Sequence, residues 1–314
     1  MTKVAVIIRT TGEESKLKLL KATISSLAKQ EFKDFSVIVV TCENKELIES
    51  FLTKNLPQYE HKVVVSPIRN RCVQSNMGIK IANSEYVAII DDDMVLSSNW
   101  LEIMFNNIRN SPEKVACICS PVYPLYKIED KSSNDVGTKS LPYLQVFRKF
   151  LRTLSLSKTF WPKNVKLLNE GVKELPTIPS NCVICKRTAL VDVGFYDTSL
   201  REPLRSDDYA LGFRLRKLGY KILSCDAVKA FHTENYLIKW IGKNPKFFRN
   251  KSLTEFYVLM KHRGFVGFHA IVFHALYRII ESLYWAYKNK KFSLILSVFK
   301  GVIEGIVWGF KAKQ

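Results

Sequence analysis

Three consecutive carboxylates, Asp91-Asp92-Asp93, follow directly on the apolar run Tyr86-Val87-Ala88-Ile89-Ile90. Acids packed side by side repel one another unless a cation or hydrogen-bond donors offset them. Carboxylate oxygens suit Mg²⁺ or Mn²⁺, and such ions usually bridge one or two carboxylates to the phosphates of a substrate. The triplet therefore predicts a site for a metal and a diphosphate. The competing reading is an acidic loop capping the next helix. A second acid pair, Asp207-Asp208, opens a stretch in which Leu211, Leu215 and Leu218 recur at helical spacing before Gly219. One of two adjacent acids can cap that helix while the other points into a crevice.

The elements that must position these acids alternate along the chain. Val4–Ile8, Phe35–Val40, Val63–Val65 and Tyr86–Ile90 read as buried strands. Between them, 15–29, 45–52 and 70–82 have helical periodicity. Strand–helix alternation predicts an α/β fold with a parallel sheet and βαβ crossovers. In such a sheet, ligands sit outside the carboxyl ends of the strands. Thr10, Thr11 and Glu13 after the first strand, Glu43 after the second and Asp91 and Asp92 after the fourth are thus candidates for contacting a nucleotide. A further helix, 98–109, and a strand, Val115–Cys119, follow. From Pro121 to Pro179 the pattern is lost. The polar Glu129–Ser140 reads as a loop, and Leu144–Leu156 is basic and amphipathic; this insert is either an acceptor-binding lid or a disordered segment.

Composition narrows the classes. The chain has 314 residues, 47% of them hydrophobic, enough for a substantial core. Its net charge of +19 calls for an anionic partner. There is no Gly-x-Gly-x-x-Gly after the first strand and no Gly-Lys-Ser/Thr loop, which argues against a dinucleotide dehydrogenase and a P-loop NTPase. The strands are apolar throughout, unlike the aromatic and basic sheet faces of RNA binders, so no nucleic-acid partner is expected. Cys117-x-Cys119 and Cys182-x-x-Cys185 lie in apolar runs and read as core thiols rather than zinc ligands. With the chain running straight into Val4–Ile8, a reducing, cytoplasmic setting with free thiols is expected.

Taken in order, several motifs resemble the family 2 glycosyltransferases of the GT-A fold over about residues 3–235. They are the first strand, Asn76-x-Gly78-Ile79-x-x-Ala82, Ile89-Ile90-Asp91-Asp92-Asp93, Gly194-Phe195, and Asp207-Asp208-x-x-Leu211-x-x-Arg214-Leu215-x-x-x-Gly219-Tyr220. The resemblance implies a Rossmann-like, mostly parallel sheet and an inverting transfer of a sugar from a nucleotide-diphosphate-sugar donor (UDP, GDP or dTDP). It implies that Asp91 contacts the nucleotide, with Asn76 in the same set, that Asp93 is the metal ligand, and that Asp208 is the general base. His232 falls where related enzymes carry a further metal or diphosphate contact. The sequence departs from the family pattern in three places. Arg9 stands for the usual Pro after the first strand, Thr41-Cys42-Glu43 for the usual acid motif after the second, and Asp207 for Glu. The processive signature Gln-x-x-Arg-Trp is only echoed by Tyr236-Leu237-Ile238-Lys239-Trp240, which favours transfer of single sugars. A sugar nucleotidyltransferase is the alternative enzyme; a non-catalytic membrane or nucleic-acid binder is the alternative class.

Residues 236–314 form a second region, with 14 Lys+Arg against 3 Glu, a net +11 of the +19. Gly264–Tyr287 and Phe292–Phe310 are apolar helices, each broken by one pair of charges at helical-neighbour spacing, Arg278/Glu281 and Lys300/Glu304. Charges on one face predict amphipathic helices lying in a membrane interface, with Lys288, Lys290, Lys291, Lys311 and Lys313 against anionic headgroups. A membrane span and a helical subdomain packed on the catalytic domain are the alternatives. The expected setting is the cytoplasmic face of a membrane, with a saccharide or lipid-linked saccharide as acceptor.

Overall fold

β1 (Val4–Arg9), β2 (Phe35–Thr41), β3 (His61–Val65) and β4 (Tyr86–Asp91) alternate with α1 (Glu14–Ala28), α2 (Lys45–Asn55) and α3 (Arg71–Ile81). This is a computed structural model, and it describes residues 2–125, 167–169, 172–175, 177–178, 182–200, 206–233 and 244–312. β1 lies between β2 and β4, parallel to both, and β2 is parallel to β3. Helices cover both faces of these strands, which is why Val4 to Ile8 is apolar at every position and fully buried. α3 rests directly on β1: a Cβ at Gly78 would come within 2.4 Å of Ile7 Cγ2. The register places Arg9 beside Val40 on one side and Asp91 on the other.

The second half of the sheet is mixed. β5 (Met94–Leu96), α4 (Trp100–Arg109), β6 (Val115–Cys119), β7 (Val122–Pro124), β8 (Leu167–Asn169), β9 (Val172–Leu175), β10 (Cys182–Lys186), α5 (Arg187–Asp192), α6 (Asp207–Lys217), β11 (Lys221–Cys225) and β12 (Ala230–His232) follow in chain order. The large sheet has the order β3-β2-β1-β4-β10-β6-β11-β9-β8, and a small sheet has the order β5-β12-β7. β10 enters between β4 and β6 and runs antiparallel to both. All seven cysteines are free thiols. Cys117 faces Cys185 across the β6–β10 ladder. Burial pushes the thiols of Cys117 and Cys119 up and that of Cys182 up to about 12, as expected of core thiols. The expected apolar face of α6 holds at Leu211 and Leu215, both buried, but not at Leu218, which caps the helix and is 47% exposed.

Four helices close the chain: α7 (Pro245–Lys261), α8 (Arg263–Val266), α9 (Phe268–Asn289) and α10 (Ser293–Lys311). α7 has no counterpart in the sequence reading. Its start is chemically marked, since the Asn244 side chain accepts a 3.0 Å hydrogen bond from Lys246 N, with Pro245 in the first turn. Phe256 to Met260 of α7 share one core with Tyr196, Leu211 and Phe213, so this layer packs on the sheet domain. Paired charges of α9 and α10 turn onto protein partners. Arg278 is fully buried and Glu281 nearly so, and Glu304 turns onto Arg249 of α7 at 2.6 and 2.8 Å. Glu129–Ser140, Leu144–Leu156 and Tyr236–Trp240 lie outside the described residues.

Candidate active site

The carboxyl ends of β1, β2 and β4 meet at one edge, and a cavity of about 190 Å³ opens there. Asp91, Asp92 and Asp93 form its acidic wall, and Arg9, Lys16 and Arg71 its basic one. A larger recess of about 700 Å³ lies by Lys114 and Lys221, at the other ends of β6 and β11, and among the described residues no carboxylate lines it. Reactive groups, not volume, identify the site.

The three aspartates have different partners. Asp91 ends β4 and takes the Arg9 guanidinium, and Arg71 Nη2 at 2.9 Å. Burial alone would raise its pKa, but Arg71 and Arg9 outweigh burial and hold it below the ordinary value. Arg71 is aimed by the N-terminus of α3, where Asn70 Oδ1 accepts from Cys72 N at 2.9 Å and Val73 N at 3.2 Å. A cap of this kind is worth about 1 kcal/mol. Asp92 is 7% exposed and accepts the Thr10 hydroxyl at 2.6 Å. Burial, chiefly, pushes it up to about 7.

Asp93 stands against the small sheet. His232 pairs with Met94 in the β5–β12 ladder, and this brings His232 Nε2 to 3.3 Å from Asp93 Oδ2. Thr233 secures the junction, its amide and hydroxyl donating to Asp93 O at 2.9 and 3.0 Å. Lys16 Nζ approaches Asp93 Oδ2 to 3.9 Å. A carboxylate and an imidazole side by side fit a divalent ion such as Mn²⁺. Among the described residues no group of three or more His, Cys, Asp or Glu forms a complete cage. That donor set suits an ion that completes its shell with water and substrate phosphates.

α6 brings in the second acid pair. Asp207 is 4% exposed, and its Oδ2 lies 3.9 Å from Arg9 Nη1. Arg9 also donates to Ser75 Oγ at 3.1 Å, so one guanidinium spans both acid motifs. Asp208 is half-buried, and its Oδ1 accepts from Tyr209 N at 2.9 Å. Burial first, and the charge of Asp207 second, push Asp208 up to about 7. A carboxylate poised near neutrality is matched to general-base work.

The other expected nucleotide contacts divide. Thr11 lines the cavity, as does Thr10, whose hydroxyl is held by Asp92. Glu13 and Glu43 are not among its lining residues; both are gripped by Arg69. Gly12 allows their two turns to meet: with φ at +77°, a Cβ there would also meet Glu43 O at 2.3 Å. Asn76 is placed elsewhere. Its amide donates to Tyr196 O at 2.9 Å and accepts from Tyr196 N at 2.8 Å, tying α3 to the 194–200 turn. Lys16 and Arg71 belong to no motif in the sequence, and Arg9 stands out there only as a departure from the family pattern. Arg9→Met should leave Asp91 and the buried Asp207 without the cation they share. We expect at least a tenfold lower kcat/KM, with Arg9→Lys in between because it keeps charge but loses the fork. Steady-state kinetics on the folded variants checks this.

The family described as "Glycosyl transferase family 2" matches residues 5–172. Poly-beta-1,6-N-acetyl-D-glucosamine synthase of Staphylococcus epidermidis is 23% identical over 201 residues, 64% of this chain and 43% of that protein. The Staphylococcus aureus synthase is 25% identical over 154 residues, 49% of this chain and 32% of that protein. The chain thus spans less than half the length of these curated relatives. The mannosyltransferase PcManGT from Pyrobaculum calidifontis, solved with GDP-Man and Mn²⁺, superposes with a TM-score of 0.62 at 13% identity, over 99% of this chain and 88% of that one. GalNAc-T7, solved with UDP, GalNAc and Mn²⁺, gives 0.55 at 13% identity, over 94% and 56%. These likenesses show the fold.

Proposed function

We propose, from the premise that the chain belongs to glycosyl transferase family 2 and has its GT-A fold, that it moves a single sugar from a nucleotide-diphosphate-sugar to an acceptor hydroxyl with inversion. The observation that carries this is that Arg9, which lines the cavity with Asp91, Asp92 and Asp93, also reaches Asp207 and so joins two acid motifs from distant parts of the chain. In this reading the nucleotide lies over the ends of β1 and β2, with Asp91 and the Thr10–Glu13 turn beside it and Glu43 next to that turn. Arg71 and Lys16 face the diphosphate. Asp93 and His232 would hold a divalent ion, which supplies positive charge to the leaving diphosphate. Asp208 takes the proton of the acceptor hydroxyl as that oxygen bonds to the anomeric carbon. The bond from that carbon to the diphosphate breaks, and its electron pair leaves with the nucleoside diphosphate. A single displacement with the base opposite the leaving group inverts the anomeric centre.

Structural neighbours solved with GDP-Man, or with UDP and GalNAc, make UDP- and GDP-sugars the first donors to screen, with dTDP-sugars after them. The synthase relatives support a saccharide acceptor in glycan assembly. The apolar side chains that α9 and α10 turn outward support a reaction at a membrane surface. The test is donor hydrolysis with Mn²⁺ or Mg²⁺, reading free nucleoside diphosphate. Release from one donor should be abolished by a chelator and restored by metal. In Asp93→Asn the metal concentration for half-maximal release should rise. Binding of no donor nucleotide, with metal present, would overturn the proposal.

A further inference from the structure

α9 and α10 are amphipathic the wrong way round for a soluble protein. Arg278, Glu281 and Glu304 turn into the fold. Arg278 is fully buried, 3.3 Å from Glu255, paired with Glu281, and hydrogen-bonded to Ser252 Oγ at 3.0 Å. Glu304 is bound by Arg249. α10 meets α7 through glycines spaced four apart. A Cβ at Gly301 would lie 2.2 Å from Arg249 O, one at Gly305 2.4 Å from Leu253 O, and one at Gly309 2.7 Å from Tyr257 O. With small and charged residues used inside, the outer face is left to Phe268, Leu283, Phe292, Leu296, Ile303 and Phe310, between 49% and 75% exposed. Of the eighteen exposed large hydrophobic side chains among the described residues, twelve lie between 265 and 310. Lys300 is the one exposed charge within 268–287 and 292–310. A contiguous apolar surface of this kind marks an interaction site.

Basic residues flank that surface at both ends. Lys288, Lys290 and Lys291 are exposed around the turn between α9 and α10. At the opposite end Lys311 is exposed, and Arg263 stacks over the Phe310 ring at 5.0 Å. An apolar face with a cationic border complements an anionic lipid surface. α10 has the length and composition of a membrane span, 19 residues. Its glycine face, however, is pressed along α7 from Arg249 to Met260, and α7 is part of the core of the sheet domain. A helix held lengthwise on the domain cannot cross the bilayer without drawing the domain in.

We propose that the outer face of the α9–α10 hairpin is a lipid-embedded platform. It lies in the plane of an anionic bilayer, with its apolar side chains at the acyl boundary and its lysines among the headgroups. The proposal deepens the membrane setting given above and rests on it, whereas donor hydrolysis in vesicle-free solution reads the transferase reaction separately. Flotation of the full chain with phosphatidylcholine vesicles, with and without roughly one-third phosphatidylglycerol, tests it. Wild type should float with the anionic vesicles. Leu296→Glu/Ile303→Glu should partition at least tenfold less while keeping its circular dichroism and donor hydrolysis. Lys288→Ala/Lys290→Ala/Lys291→Ala should lose the preference for anionic vesicles but keep binding at low salt. Equal flotation of wild type and the Glu variant would overturn the proposal. So would a lipid-free dimer that the Glu substitutions dissociate, which would assign the face to a second copy of the chain.

Discussion

Asp208→Asn is expected to lower the turnover of sugar transfer by about 10²–10⁴-fold, the usual contribution of a positioned general base. Asparagine keeps the size of the side chain and its ability to accept from Tyr209 N, so α6 should start as before. What is lost is the capacity to take a proton. The pH profile separates this from structural damage. The base works ionised, and Asp208 is pushed up to about 7 by burial and by Asp207. In wild type, kcat/KM should therefore rise with pH through neutrality and level off above it, because this ratio reports the free enzyme. In the variant that rising limb should vanish, leaving a low, flat rate. Donor binding should be unchanged, since the proposed nucleotide contacts lie on β1, β2 and β4. A loss of less than about tenfold with the limb intact would remove Asp208 from the base role.

How far this site was legible in the sequence depends on the range of each interaction. Strand and helix positions from Val4 to Asp91 are local, set by apolar period and by caps, and the structure reproduces them within a few residues. The convergence of Thr10, Thr11 and Asp91 followed from a general rule about parallel sheets. Strand direction is another matter. Cys182–Lys186 looks like any buried strand, and its antiparallel insertion beside β4 is decided by its neighbours. The pairing of His232 with Asp93 depends on three-residue strands, too short to show a period. Arg9, Lys16 and Arg71 were hidden for a different reason: with 48 Lys+Arg in the chain, no single one stands out until the sheet order brings three together. Asn76 is the opposite case: its place in a family motif suggests a nucleotide contact, and in the fold its amide is matched to the backbone of Tyr196, more than a hundred residues away.

The C-terminal helices show what periodicity cannot settle. The spacing of Arg278 and Glu281 places them on one face, and that much is local. Which medium the face meets depends on whether another helix offers partners. α7 does, through Ser252 and Glu255. Arg278→Met is accordingly expected to destabilise the fold by about 3–5 kcal/mol at neutral pH, since removing one partner strands buried charge on the others. Glu255 sets the pH dependence. Burial would raise its pKa, but Arg278, Lys251 and His274 outweigh burial and bring it down to about 2 from an ordinary 4.5. A carboxylate depressed in the folded state contributes stability above its unfolded value and loses it as pH falls through the folded one. In wild type that contribution is therefore complete above about pH 5 and fades toward pH 2. In Arg278→Met the chief depressing partner is gone, and Glu255 takes up its proton at higher pH. The gap between variant and wild type should thus be widest at pH 7 and narrower at pH 4, read by chemical denaturation at both. Adding Glu255→Gln and Glu281→Gln should recover part of the loss at pH 7, because the stranded charges are then neutral. Equal loss at both pH values, with no recovery in the triple variant, would mean that Arg278 acts by packing alone.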